Sequence, residues 1–571
     1  MKKTLLLSAL SLACLSQVDA NAQKINVVDG VIIWTNSPNG RWACSSTEGI
    51  ANFWDTQTTV PMVYDDQPYA VDGINNNGWA AGSIGEPGVE IPILLSSDCE
   101  VKKLPIPEGS GMVYGSARNL TEDGQMVCGF LQPNVNAFDN VISAYPYIWE
   151  ISGDNITATP LPYPEKDFSG RAPQGNYPLY ISADKNRIIG RQIDFSGSAG
   201  VPIIWDKDSE GNWTYRTFGE DIVFKDGEEF PEWPDVEPKE PEAGNYMTEE
   251  ELNAYQADYD EWVASGYVGE MPAYENYIND AEKKAQYLAD KAAYEEAKYE
   301  YDVKVTVFLD IFFSRLSGTV FDLYSLSASD NGRYMGFTVK TSNEETMERF
   351  YNPAILDLNT NEYKVLDGGG NACIGNRITD NGDVVYRIPY SGTQYDPVDA
   401  RIIMNGSSTS MTIPEYLSLR TNGKVNDQTF IDAGLSYTYT DYSNGEPVEV
   451  TDKILTGTAN VSANGLAFIG FGSDPNTFAL KSWAIDATEF ASVNSVKTDN
   501  ERIIRTNLIS DGKVEFLSEV ESATLYGLDG SMRMSVNNPG SEMSMPNEKG
   551  VYILRSVTTD GAQHVDKIVL Q

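Results

Sequence analysis

One histidine, His564, stands in the whole 571-residue chain. Without a second imidazole there is no His-bearing zinc triad, no Ser-His-Asp set and no Cys-His pair. His564 itself reads as an exposed strand residue. Cysteine is scarce as well. Setting aside Cys14 in the leader, Cys44, Cys99, Cys128 and Cys373 remain. No Cys-x-x-Cys among them offers a thiol zinc or redox site. Cys44 and Cys128 fall at similar repeat positions and read as small buried fillers. Positive charge is short: 41 Lys and Arg face 83 Asp and Glu, a net charge of −42. Nucleic acid is thereby excluded as a partner, because phosphate binding needs a basic stripe. No apolar run is long enough to be a transmembrane span; residues 305–313 are too few and carry Asp310. Gly368-Gly-Gly370 lacks the lysine and the following helix of a phosphate loop. The chain therefore shows no catalytic, cofactor-binding or metal site, and no motif names a ligand-binding residue.

Two chemistries survive these absences. Carboxylates are abundant, and a glycosidase needs only two at the right separation. Asp206-Lys-Asp-Ser-Glu-Gly211 and Asp357-Leu-Asn-Thr-Asn361 space oxygen ligands as a calcium loop does. Both lack the bidentate Glu at the twelfth position, where Thr217 and Gly368 stand, so both read as hairpin turns.

What the chain has in plenty is one repeated phrase. Ile181-Ser-Ala-Asp-Lys-Asn-Arg-Ile-Ile-Gly190 joins two short β-prone runs across an Asp/Asn turn, and Val201-Pro-Ile-Ile-Trp-Asp206 follows after a loop. Related copies begin at Asn36, Ile74, Leu120, Ser329, Ile378 and Val461, making about seven. Asn-Gly and Asp-Gly between apolar runs signal hairpins, since both residues tolerate the positive φ of a tight turn. A fourth strand comes from segments such as residues 211–218. Sheets this small cannot bury both faces alone, and stacking them radially solves the problem. The expectation is all-β: a β-propeller of about seven blades, six to eight being admissible, with a helical-hairpin insertion and a C-terminal β-sandwich. Gly82, Gly129, Gly190, Gly336 and Gly470 should mark close backbone approach. The aromatic of the third strand should fill the wedge between blades.

These phrases resemble the extracellular repeats of the HAF family, whose units run Ser-x-Asp-Gly, a β-run, Gly, then a Trp-bearing strand. The copies at Leu120, Ile181 and Val461 carry the likeness best. The copy at Ile378 departs from it with Tyr386 and Arg387 in place of Gly, and the copy at Ile74 lacks the Trp. The resemblance implies a fold and no reaction.

The chain's start reads as an address. Two lysines, an apolar run and Ala20-Asn-Ala22 before Gln23 make a signal peptide of residues 1–22, cleaved between Ala22 and Gln23. The propeller then covers 23–490. Residues 24–34 precede the first full repeat and should pair with the sheet built from 455–487, closing the ring.

An acidic linker and helical insertion, 226–318, interrupts the repeats. Its Pro-rich start should be extended. Thr248-Glu-Glu-Glu251 is a capping box for a helix over 249–264, and a longer helix should run from about 274 to at least 301. Tyr287, Tyr294 and Tyr301 recur every seven residues, a stripe that packs helix on helix or meets a partner. Residues 405–455 form a long loop or an eighth blade.

Residues 499–571 change pattern to short alternating strands, a small β-sandwich. Leu525-Tyr-Gly-Leu-Asp-Gly-Ser531, Lys549-Gly-Val-Tyr-Ile-Leu-Arg555 and the terminal Lys567-Ile-Val-Leu570 resemble the C-terminal sorting domain of type IX secretion cargo. That resemblance implies a secretion translocon as partner, and export to the cell surface or outside of a Gram-negative bacterium. The functional expectation is a non-catalytic propeller, without cofactor, that binds a glycan or protein ligand. The alternatives are a carboxylate-dependent glycan-cleaving enzyme on the same scaffold and a purely structural surface component.

Overall fold

The computed structural model describes residues 25–570, apart from 135–141, 228, 235, 343–348, 369–373, 389–398, 442–445, 475, 492–502, 507, 510–511, 528–531, 547–548 and 560–562. The signal peptide, its cleavage site at Ala22 and Gln23, and Cys373 lie outside the described residues. The chain divides into two compact units: residues 26–412 with 435–484, and residues 413–434 with those from 485 onward.

In the larger unit each repeat copy builds one four-stranded antiparallel sheet in chain order, spanning 35–64, 69–103, 112–160, 175–217, 319–365 and 374–412. A seventh sheet is composite. Thr458–Val461, Ala467–Ser473 and Leu480–Asp486 supply three strands, and Asn26–Asp29 from the other end of the chain supplies the fourth. Val27 lies opposite Trp483 and Asp29 opposite Lys481. Each sheet touches the next, and the seventh touches the first. The ring is a β-propeller, and the expected closure by the N-terminal run is present. Residues 435–454 add only a two-stranded ribbon, Ser436–Asp441 with Val448–Ile454, and not an eighth blade.

The seams are apolar and shared. Blades one and two bury Cys44, Phe53, Val71 and Leu95 together. Blades two and three enclose Trp149 with Leu94 and Leu104, and the indole Nε1 donates to the Pro105 carbonyl at 2.9 Å. Trp205 repeats the arrangement one blade on, donating to Pro162 at 2.6 Å. Trp54 and Trp483 are equally buried, so four tryptophans of the third strands fill inter-blade wedges. Buried Leu95, Leu356 and Ile403 lie on the third strands of the blades without one. Where Gly82, Gly129 and Gly190 stand, a Cβ would meet a first-strand carbonyl oxygen at 1.9, 2.2 and 2.1 Å. The first strand bulges beside each, at 71–73, 117–119 and 178–180, which presses its backbone inward. At Tyr386, the departing copy, a buried tyrosine occupies the second strand instead. Cys44 and Cys128 are fully buried, and burial pushes both thiols far up.

The insertion leaves from the end of blade four, Trp213–Thr217, and returns at the first strand of blade five, Thr319–Ala328. Its first helix, Glu249–Ala264, carries the expected capping box: Glu251 Oε2 accepts from the Thr248 amide at 2.8 Å. The second helix, Ala281–Ser314, begins later than expected, because Asp280 caps it by accepting from Glu282 and Lys283. It also runs on through the short apolar stretch, where Asp310 faces solvent and Phe308 and Phe312 are buried against Phe195, Val223 and Phe224. Tyr287 is buried among Tyr246, Tyr274 and Tyr255, while Tyr294 is half-buried. Of the stripe, Tyr287 belongs to the hairpin's own core, which removes it as a docking residue.

The smaller unit holds the helices Ile413–Arg420, Asp427–Asp432 and Thr488–Ala491, and a five-stranded sheet. The module expected as a β-sandwich is joined as one sheet, with Leu508–Ile509 parallel to Gln563–Leu570. Its long strand Lys513–Gly527 breaks register between Glu515 and Val520, so its buried residues switch from Val514 and Phe516 to Ala523 and Leu525. His564 is half-buried opposite Ser556, not exposed.

The turns admit a direct test. Gly332 has φ +69°, and a Cβ there would sit 2.6 Å from Ser182 Cβ of the neighbouring blade; Gly211 has φ +86° and nothing within 4 Å. Both alanine variants carry the cost of a left-handed backbone, about 1 kcal/mol. Gly332→Ala should lose about 2 kcal/mol more from the clash, read as a lower denaturation midpoint. Equal losses would mean that the two blades are not packed turn to turn.

Candidate functional site

The repeated turn does more than connect two strands. In six of seven blades a Ser, Thr or Asn is followed three residues on by a glycine of positive φ: Gly40, Gly78, Gly124, Gly332, Gly382 and Gly465. Blade four puts Lys185 there, at φ 61°. The first residue of the turn commonly hydrogen-bonds the third, as Ser182 Oγ does Asp184 at 2.6 Å and Ser462 Oγ does Asn464 at 2.7 Å. This local bonding lets Ser/Thr and Asx hold a turn without help from a sheet.

The turns are then tied to one another in a circle. The Asn39 amide donates to Asn76 Oδ1 at 2.8 Å, and the Asn76 amide to Glu122 Oε2 at 3.1 Å. Lys185 pairs with Asp123. The Ala183 amide donates to the Asp330 carbonyl at 2.7 Å, and Asn331 to Asp380 Oδ1 at 2.8 Å. Asp380 donates to the Ala463 carbonyl, and Ala463 to that of Pro38, both at 2.8 Å. Every blade is thereby fastened to the next at one face of the ring.

Inside the circle, the first strands enclose an axial cavity of about 420 Å³. All seven blades line it, so it exists only because the ring is closed. Its size is that of a small-ligand site. Towards the turns its wall carries Glu122 and Asp330. Burial, together with the charges of Asp380 and Glu122, raises the Asp330 carboxyl to about 6. Glu122 and Asp380 each accept a backbone amide, whereas the Asp330 carboxylate has no hydrogen-bond donor among the described residues. Deeper along the strands lie Asp72, Arg118, Arg191, Tyr324 and Arg377. Arg118 Nη1 meets Asp72 at 2.8 Å. Arg191 Nη1 donates to the Leu323 carbonyl at 3.2 Å, and its guanidinium lies 4.2 Å from the Tyr324 ring centre and 5.3 Å from that of Tyr177.

No family model matches the chain, and no curated protein matches it. Solved structures do. The propeller domain of the Trilobed protease from Pyrococcus furiosus is 7% identical at a TM-score of 0.35, over 83% of this chain and 99% of that one. A putative TolB from Agrobacterium tumefaciens is 12% identical at 0.29, over 60% and 79%. PorZ, a surface component of the type IX secretion system of Porphyromonas gingivalis, is 9% identical at 0.15, over 93% and 74%. Likenesses this distant say nothing of what the chain binds; its architecture rests on its own strand pairing.

No residue of this cavity was named as a ligand by sequence, since the residues converge from seven copies some 38 to 147 positions apart. The signal that could have found them is the second position of each turn, which reads Pro38, Asn76, Glu122, Ala183, Asp330, Asp380 and Ala463. The two loops weighed for calcium are hairpin turns. Asp208 accepts from the Glu210 and Asn212 amides, Asp206 pairs with Arg187, and Asp357 pairs with Arg333. Among the described residues no cluster of carboxylates, His or Cys is placed to hold a metal ion. No helix there is long and apolar enough to cross a membrane.

Asp330 carries a pH signature. Its folded value lies above the ordinary 3.8, so the folded chain binds this proton more tightly than the unfolded one. That contribution to stability is complete at pH below about 4 and is lost as pH rises through about 6. Asp330→Asn should therefore raise the melting temperature at pH 7.5, by the equivalent of about 2 kcal/mol, and leave it unchanged at pH 4. Equal effects at both pH values would show that the carboxylate is solvated as in water.

Proposed function

We propose that this chain is a non-catalytic binding protein that takes a glycan or protein ligand at the propeller axis. The observation that carries the reading is the axial cavity itself: open, lined by every blade, and holding polar side chains that the fold does not consume. The export address adds to it. A cleavable leader and a C-terminal module resembling type IX sorting domains fit a protein displayed on, or released from, a Gram-negative cell. The HAF-like repeats fit the same setting.

One observation favours the second reading, a carboxylate-dependent glycan-cleaving enzyme. Asp330, with its raised value near 6, is suited to act as a general acid beside Glu122 and Asp380. Against this, both neighbours are engaged as fasteners between blades, and a glycosidase needs a second carboxylate held for the sugar rather than for the fold. Binding is therefore the better account.

The address is tested by removing residues 499–571 in a host with type IX export and fractionating the cells. The truncated chain should be retained inside the outer membrane, with surface signal falling at least tenfold. Undiminished surface display would defeat the sorting role.

A further inference from the structure

Three arginines line the axis of a protein whose net charge is −42. Burying a guanidinium costs free energy unless a carboxylate or a full set of acceptors compensates it. Elsewhere in the propeller the rule is obeyed: Arg41, Arg187 and Arg333 each face an aspartate at 3 Å or less. Arg191 breaks it. It is half-buried, makes no ion pair among the described residues, and donates only to the Leu323 carbonyl, leaving its buried Nε without an acceptor. Burial lowers its affinity for the proton, and Arg118 nearby acts in the same direction; Tyr324, Tyr177 and the more distant Asp322 oppose them only in part. Arg118 has one aspartate partner, Asp72, yet its Nε is likewise buried and unanswered. Ser327, almost wholly buried on the same wall, has a hydroxyl with no partner. Beside these donors Tyr324 presents a ring that is 78% exposed.

An enclosed guanidinium with no carboxylate partner among the described residues, a second beside it whose Nε has no acceptor, and an exposed aromatic ring make an anion site with a platform for a sugar. From this juxtaposition we infer that the arginine end of the axial cavity binds a carboxylate-bearing sugar, a uronic acid residue of a glycan. The carboxylate meets the Arg191 and Arg118 guanidinium groups, and the pyranose lies on the exposed ring of Tyr324. A cavity of about 420 Å³ holds one or two sugar rings. The acidic turn end at Glu122 and Asp330 repels a second anionic group, so a polyanionic peptide fits worse than one charged sugar at a chain end. This rests on the axial-binding reading and gives it a ligand class.

The test is calorimetric titration of the full chain with glucuronic acid, with a di-uronate, with glucose and with a glutamate-rich peptide. Glucuronic acid should bind, the di-uronate should bind no more tightly because its second carboxylate faces the acidic end, and glucose should bind at least tenfold more weakly than glucuronic acid. Arg191→Gln should weaken uronate binding tenfold or more, Arg191→Lys should restore part of it, and Tyr324→Ala should weaken it several-fold. Melting temperatures of all three variants check that they fold. Equal binding of glucuronic acid and glucose, preference for the peptide, or no loss in a folded Arg191→Gln would overturn the inference. If a neutral glycan binds and Tyr324→Ala abolishes it, axial binding stands while the anion site falls. If no probe binds and uronate fails on a glycan array as well, both fall.

Discussion

Four residues at the start of the folded chain, Asn26–Asp29, hydrogen-bond to the edge of Leu480–Asp486, and the rest of the propeller depends on that pairing. A four-stranded sheet of two- to ten-residue strands has two faces and cannot cover either by itself. Each blade here covers its neighbour, which works only if there is no first or last blade. The N-terminal strand removes the open edge of the seventh sheet and ties blade seven to blade one through Val28, Ile33, Trp54 and Ala484. Closure costs loop entropy once, over more than four hundred residues, and that cost grows only slowly with length.

The turn circle follows from closure, and the cavity follows from both. Hydrogen bonds from one turn to the next spend Glu122 and Asp380 as fasteners and leave Asp330 without a donor among the described residues. The same geometry places strand residues of every blade around one axis, so that Arg191 is enclosed with one carbonyl acceptor and no ion pair among the described residues. Three of the buried polar atoms without a partner among the described residues, the Arg118 and Arg191 Nε and the Ser327 hydroxyl, lie on this axial wall.

How far the sequence could lead is clear from particular residues. The Ser/Thr-x-Asx-Gly phrase, the third-strand tryptophans and the crowded Gly82, Gly129 and Gly190 were all readable, because each is a local requirement of backbone or volume. The pairing of Asn26–Asp29 with the last sheet was readable from an unmatched strand at one end and a short blade at the other. The start of the long insertion helix was not, since Tyr274 continues the helical pattern and only the Asp280 cap decides against it. In the C-terminal module the alternation made the strands readable, but the register break inside Lys513–Gly527 shows only in the pairing. The axial residues were least legible. Arg191 sits in an unremarkable β-run, and nothing local distinguishes it from Arg187, four positions earlier on the same strand, which meets Asp206 on the neighbouring strand.

Closure is the claim on which the cavity and every functional reading stand, and one cross-link tests it. Cysteines placed at Asp29 and Lys481, register partners on the closing strand and its neighbour, should form an intrachain disulfide under mild oxidation, identified as a linked peptide by mass spectrometry, and should raise the melting temperature. No intrachain link, or a link found only between two chains, would contradict the closed ring and the axial site with it.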